Sequence, residues 1–264
     1  MIYGAFHSPQ SISRLTQVVE EEAKAWRERP LSPEYYAIYL DGTFLHIRRG
    51  QTAKEPVYPA LGILPDGRRE ILGFWLFGAE GESAENWEEV LKELQRRGME
   101  KVRIFISDDL PGLEEAIKKI FPKSQWQLCV LHAVRDSLNK VRKGDQQGVA
   151  ELLQAVYKAE SLKEAEEALK ELRARWGEVG NEGFGLAGLS ELSFCASAVS
   201  LYQLSRLCKE VKRWTKAVEI FVHEGAGEKL LYLVLSGLNE RLLARRLRGF
   251  AEIEIGSYHA SQTQ

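Results

Sequence analysis

The stretch Tyr36-Ala37-Ile38-Tyr39-Leu40-Asp41-Gly42-Thr43-Phe44-Leu45-His46-Ile47-Arg48 sets two apolar runs on either side of one acid and one glycine. The residues before Asp41 read as a buried strand, and Phe44 and Ile47 carry the pattern into a second. A carboxylate inside a buried strand is expensive unless a cation, a metal or hydrogen bonds offset it. The sequence leaves a plainer alternative, an acid at a strand end capping a Gly turn. A second acid in the same setting, in Val102-Arg103-Ile104-Phe105-Ile106-Ser107-Asp108-Asp109, favours a metal site shared by two strand ends.

Outward from Asp41 the elements alternate in a readable order. Ser11 to Trp26 has a helical stripe of Ile12, Leu15, Val18, Val19 and Trp26, and Pro30 and Pro33 end it. Two strands flank Asp41, a third is expected from about Val57 to Leu64, and Pro65-Asp66-Gly67 turns the chain into a fourth, Arg69 to Phe77. A helix capped by Ser83 and stopped by Gly98 follows. Then come strand Val102–Ser107, helix Pro111–Phe121, strand Trp126–Val130 and helix Leu131–Lys143. An antiparallel meander leading into parallel crossovers makes a mixed α/β sheet flanked by helices, the order of a ribonuclease-H-like fold. In open sheets of this kind ligands sit at the strand ends, where Asp41 and Asp108 fall.

The remainder changes texture twice. Asp145 to Trp176 is helical and charged, with Ser161-Leu162-Lys163-Glu164 as its internal start signal. Gly177 to Ser205 is rich in Gly, Ser, Ala and Leu and carries almost no charge, the composition of loops or decayed sequence. Arg206, Lys209, Lys212, Arg213 and Lys216 then form a basic helix, with Arg206, Lys209, Arg213 and Lys216 on one face. Such a face suits the phosphates of a nucleic-acid backbone, or else is a solvated helix surface. A last apolar helix is expected from Glu228 to about Arg248.

Composition bounds the chemistry. The chain has 264 residues, 44% of them hydrophobic and 28% charged, enough for a substantial core. No apolar run approaches the ~18 residues of a membrane span, and no signal peptide opens the chain. Cys129, Cys195 and Cys208 are odd in number and lack a disulfide framework, which points to a reducing cytoplasm. A net charge of −2 gives no global sign of nucleic-acid binding, so local patches must carry it. Phosphate-binding glycine loops and a Ser-His-Asp order are lacking. Cys129-Val130-Leu131-His132 has half a zinc-site spacing, but no second Cys/His pair lies nearby. A core cysteine at a strand end, with His132 opening a helix, is the simpler account.

Several blocks together resemble the Mutator-type transposases of bacterial insertion sequences, of the DDE class. They are Ser8-Pro9-Gln10-Ser11-Ile12-Ser13-Arg14-Leu15, Trp26-Arg27-Glu28-Arg29-Pro30-Leu31, Leu40-Asp41-Gly42, Gly81-Glu82-Ser83-Ala84-Glu85-Asn86-Trp87, Ile106-Ser107-Asp108 and Trp126-Gln127-Leu128-Cys129-Val130-Leu131-His132. The resemblance implies transposition of an insertion sequence by metal-dependent strand cleavage and transfer at element ends. It makes Asp41 and Asp108 the first two metal-binding acids and calls for two Mg²⁺ or Mn²⁺ ions. It implies double-stranded DNA as partner, a homo-oligomer and no membrane. The division it implies is a remnant of the DNA-binding and linker region at 1–33 and a catalytic core at 34–144. A helical insertion occupies 145–200, with 177–200 degenerate, and basic and apolar helices at 201–264 complete the core.

The third acid of that family is a Glu before a closing Asn, and the best match is Tyr202-Gln203-Leu204-Ser205-Arg206-Leu207-Cys208. Ser205 stands at the Glu position and Cys208 at the Asn position. A neutral hydroxyl does not replace a carboxylate at a divalent cation, and Glu191 and Glu210 lie outside the motif. The expectation is a truncated, degenerate copy, impaired in cleavage. The alternative is a non-catalytic DNA-binding or dimerising remnant that interferes with intact transposase.

Overall fold

Leu40 pairs with Ala60 and Thr43 with Val57, so the register on the long strand opposite continues without slip across Asp41-Gly42. The two strands expected around Asp41 therefore run end to end along the same long strand. They are β1 (Glu34–Leu40) and β2 (Thr43–Arg49), and both lie against β3 (Gln51–Ile63). β3 begins earlier than its apolar pattern suggests, because β2 turns straight back and supplies hydrogen-bond partners to the polar residues from Gln51. The break at Asp41-Gly42 faces Tyr58-Pro59, and a proline there has no N–H to give to the ladder.

The computed structural model describes residues 9–49, 51–77, 81–157, 162–176, 203–215, 220–221 and 223–247. β4 (Arg69–Trp75) pairs antiparallel with β3 on its other side. β5 (Lys101–Ser107) runs parallel to β1, and β6 (Gln125–Leu128) parallel to β5. The result is a six-stranded mixed sheet in the order β2-β3-β1-β5-β6, with β4 on β3. This antiparallel start followed by parallel strands is the expected ribonuclease-H-like arrangement.

Helices cover both faces. α1 (Pro9–Glu28), α2 (Ala84–Arg96), α3 (Leu113–Ile120) and α4 (Val130–Asn139) belong to the sheet region. α5 (Gln146–Tyr157), α6 (Leu162–Trp176), α7 (Gln203–Thr215) and α8 (Glu224–Leu243) follow. α1 starts before the expected Ser11 cap, since Pro9 is tolerated in a first turn. α8 starts at Glu224, four residues before the expected Glu228, because His223 accepts from Ala226 N and caps it.

Alternation along β1 and β5 splits the core in two. Ile38, Leu40 and Phe105 pack with Trp87, Leu91 and Leu94 of α2 and with Leu113 and Ile117 of α3. Ala37, Tyr39, Ile104 and Ile106 pack with Leu207, Cys208 and Val211 of α7 and with Leu231 and Leu235 of α8. A third cluster joins Val149 and Leu153 of α5 to Leu169 and Leu172 of α6, so the charged stretch after Asp145 is a helical hairpin with its own core. The segment 177–200, expected to lack regular elements, lies outside the described residues.

Candidate active site

Asp41 and Asp108 each come one residue after a paired position, since Leu40 is the register partner of Ser107. Parallel partners point the same way, and Leu40 faces α2 and α3. Asp41, just beyond β1, turns to the opposite side, where α7 packs. The contact made by Asp41 bears this out: Cys208 Sγ lies 3.5 Å from Asp41 Oδ2. Asp41 is 7% exposed, whereas the Asp108 side chain is 31% exposed. One carboxylate is buried beneath a helix and its neighbour opens to solvent.

The strand-loop geometry holds both acids in place. Gly42 allows Tyr58 to close over the break, since a Cβ there would stand 3.3 Å from Tyr58 Cε1. Tyr58 is held in turn by Trp87, whose ring centroid is 5.1 Å away, and by its hydroxyl, which donates to Glu82 Oε1. Ser83 caps α2 by accepting from Asn86 N at 3.2 Å, and Asn86 Nδ2 donates to Gly81 O at 2.8 Å. The block from Gly81 to Trp87 thus braces the wall behind Asp41. Beside Asp108, Ser107 Oγ donates to the Asp108 carbonyl at 2.7 Å and accepts from Trp126 Nε1 at 3.0 Å.

A third strand end completes the row. Leu128 is the partner of Ser107, and Cys129 N donates to Ser107 O at 2.6 Å. Cys129 is the N-cap residue of α4, and His132 follows one turn later. His132 Nδ1 meets Asp108 Oδ1, and ligand atoms of Asp108, Cys129 and His132 lie within 4.8 Å of one another. Cys129, expected as a core residue, is half-buried at the rim. The missing signal was register: only the pairing of β5 with β6 brings Asp108 beside the Cys-x-x-His segment.

α7 presents the rest of the site. Leu207, Cys208 and Val211 are buried, while Lys209, Lys212 and Arg213 are exposed. Arg213 pairs with Glu210 at 2.8 Å, so Glu210 is engaged on the helix surface. Burial, and then the neighbouring Asp41 carboxylate, push the Cys208 thiol well above its ordinary range. Cys208 is therefore a neutral thiol against the buried acid. Ser205 lies on α7 one turn before Cys208 and Arg206 beside it, but their side chains are not among those described. Lys216 and Glu191 lie outside the described residues.

Comparison with known proteins agrees with these blocks. Residues 1–182 match the family described as Transposase, Mutator family. The transposase for insertion sequence element IS905 of Lactococcus lactis subsp. lactis is 30% identical over 265 residues, covering 95% of this chain and 66% of that protein. The transposase for insertion sequence element ISRM3 of Rhizobium meliloti is 32% identical over 260 residues, 91% of this chain and 62% of that protein. The chain thus spans a little under two thirds of the length of these relatives. Among solved structures, the catalytic domain of Mos1 mariner transposase covers 66% of this chain at 12% identity, with a TM-score of 0.24. At that score the fold rests on the sheet order above. Among the described residues no helix is long and apolar enough to cross a membrane.

Proposed function

Because the chain belongs to the Mutator family of transposases, we propose that Asp41 and Asp108 are two of the metal-binding carboxylates of a DNA-cutting and DNA-joining centre. The supporting observation is that each directly follows one of two register-paired residues, Leu40 and Ser107, at the ends of adjacent parallel strands. Two hard oxygen donors side by side suit Mg²⁺ or Mn²⁺. When bound, such ions activate a water or 3′-hydroxyl and stabilise the leaving oxygen at a scissile phosphodiester.

The remaining residues divide the work. Buried Asp41 fixes one side of the site, and the more open Asp108 faces the approach of the DNA backbone. Lys209, Lys212 and Arg213 on α7, with Arg206 and Lys216 of the same basic stretch, supply positive charge for double-stranded DNA. Residues 34–144 form the catalytic core, 145–200 the insertion and 201–264 its completing helices, with 1–33 belonging to the DNA-binding and linker region. The protein acts in the cytoplasm as a homo-oligomer on the ends of its element.

This copy is impaired, because Ser205 occupies the third-acid position and the α7 group touching Asp41 is a neutral thiol. A thiol is a poor partner for Mg²⁺ and adds no charge to neutralise it. The deciding experiment incubates element-end DNA and Mg²⁺ or Mn²⁺ with the chain and with Ser205→Glu. The expected result is binding by both proteins and cleavage by neither or by the variant alone. Cleavage by the unchanged chain would sink the impairment. Binding that does not weaken as salt rises would remove the role of the basic face, since each neutralised phosphate contributes about 0.9 to the logarithmic salt slope.

A further inference from the structure

We propose that Asp108, Cys129 and His132 form a site for a soft divalent transition ion, zinc foremost, that is chemically distinct from the all-oxygen pair Asp41 and Asp108. The three residue types supply a carboxylate oxygen, a sulfur and an imidazole nitrogen, all within 4.8 Å of one another. Ligand atoms around tetrahedral zinc stand about 3.3–3.8 Å apart, as bond lengths of about 2.0–2.3 Å require. A bound ion would have to draw the three side chains to that spacing.

The backbone beneath them is already fixed. Cys129 is tied to Ser107 through its N–H, and Asp108 follows Ser107 directly. His132 is three residues beyond Cys129 on α4, a separation that puts both on one helix face. The His132 side chain is 15% exposed and that of Asp108 31%, so the site reaches solvent on one side. Three protein ligands with a fourth position left for water are the pattern of an open zinc site. Magnesium has little use for sulfur, whereas zinc accepts sulfur, nitrogen and oxygen together.

Binding rearranges protons without any redox step. Nδ1 of His132 faces Asp108, so its proton moves to Nε2 when Nδ1 becomes a ligand. The Cys129 thiol releases its proton to solvent and binds as thiolate. Asp108 then serves the soft ion and is withdrawn from the pair with Asp41. Zinc would therefore compete with a hard divalent ion for Asp108. The site stands on the geometry of three residues and holds whether or not the chain cuts DNA.

The test uses Co²⁺ as a visible substitute for zinc in the full chain, with binding followed by absorption. A single equivalent should give intense tetrahedral d–d bands and a sulfur-to-cobalt charge-transfer band, both bleached by zinc. Cys129→Ser keeps a good helix-capping residue, so the fold should persist by circular dichroism. It should lose the charge-transfer band and at least tenfold in affinity. His132→Ala should weaken binding likewise, and the double variant Cys195→Ser/Cys208→Ser should keep the full spectrum. A charge-transfer band that survives Cys129→Ser or vanishes in the double variant would place the metal elsewhere. Weak octahedral bands displaced by excess Mg²⁺ would reduce the site to its oxygen ligands and overturn the proposal.

Discussion

Cys208 Sγ lies 3.5 Å from Asp41 Oδ2, a contact between residues 167 apart in the chain. It fixes which turn of α7 lies over the buried acid, and it sets a thiol where a metal site would need an oxygen. Replacing that thiol by a carboxylate should make the fold depend on metal. Cys208→Asp puts a second negative charge against a residue that is 7% exposed, which should cost about 3–5 kcal/mol in chelator. Millimolar Mn²⁺ should restore much of the loss, because an ion bound only by the native state stabilises it in proportion to the logarithm of its concentration. Thermal unfolding of both proteins with EDTA and with Mn²⁺ measures this. Equal Mn²⁺ responses would mean that Asp41 does not face a metal position.

Alkaline pH should erode stability through three buried groups. Burial, then Asp41, raise the Cys208 thiol; burial, then Glu70, raise Tyr35; burial, then Glu82, raise Tyr58. Each group keeps its proton in the folded state and loses it on unfolding above its ordinary value of 9.0 for the thiol or 10.0 for the phenols. The unfolded chain then holds fewer protons, so stability is full below about pH 9 and falls as pH rises, by about 1.4 kcal/mol per pH unit for each group. Urea unfolding between pH 8 and 11 should show the decline begin near pH 9, and Cys208→Ala should delay its onset to near pH 10.

Much of this was legible in sequence because the local signals agree. Two apolar runs ending in acids, caps such as Ser83, and turns at Gly67 and Gly98 all fall where strands and helices end. Asp41 and Asp108 were recognisable because a carboxylate after a buried strand needs a reason. Pairing was not legible. Nothing in Gln51–Thr52–Ala53 marks a strand until β2 lies beside it, and nothing in Cys129 or Cys208 marks a neighbour until register and helix rotation supply an aspartate. The limit is physical: period reports which face a residue takes, while the contacts between distant segments are set by the whole sheet.

Gly112 controls the loop between Asp108 and α3. Its φ of 78° is left-handed, and a Cβ there would come within 2.3 Å of Ala84 N and 2.6 Å of Ala84 Cα. Backbone atoms cannot yield as a flexible side chain does, so α2 and α3 would have to separate. Gly112→Ala should destabilise the protein by about 3 kcal/mol or more, combining left-handed strain with the clash. Ser83→Ala, which removes only the neighbouring cap, should cost about 1 kcal/mol. Chemical denaturation of the two variants compares them, and a Gly112→Ala loss no larger than that of Ser83→Ala would contradict the packing described.

At the end of β1 away from Asp41, Glu70 joins three elements. Its Oε1 accepts from Arg29 at 3.2 Å and its Oε2 from the Tyr35 hydroxyl at 2.6 Å. Arg29 also donates to Trp26 O at 2.7 Å and stacks over the Trp26 ring at 4.3 Å, while Arg97 Nε donates to Arg29 O at 3.0 Å. Burial opposes the charge on Arg29, and Glu70 is what holds it. Glu70→Ala would strand a guanidinium and a phenol together, and should cost about 3–5 kcal/mol. Replacing both charges, as Arg29→Met with Glu70→Leu, should cost clearly less than Glu70→Ala, because no unpaired charge remains. Urea denaturation of the single and double variants reads the difference. Metal affinity at Asp41 and Asp108 should be unchanged in the double variant, since the network lies at the opposite strand end. A double variant as unstable as Glu70→Ala would show that packing, rather than the stranded charge, carries the loss.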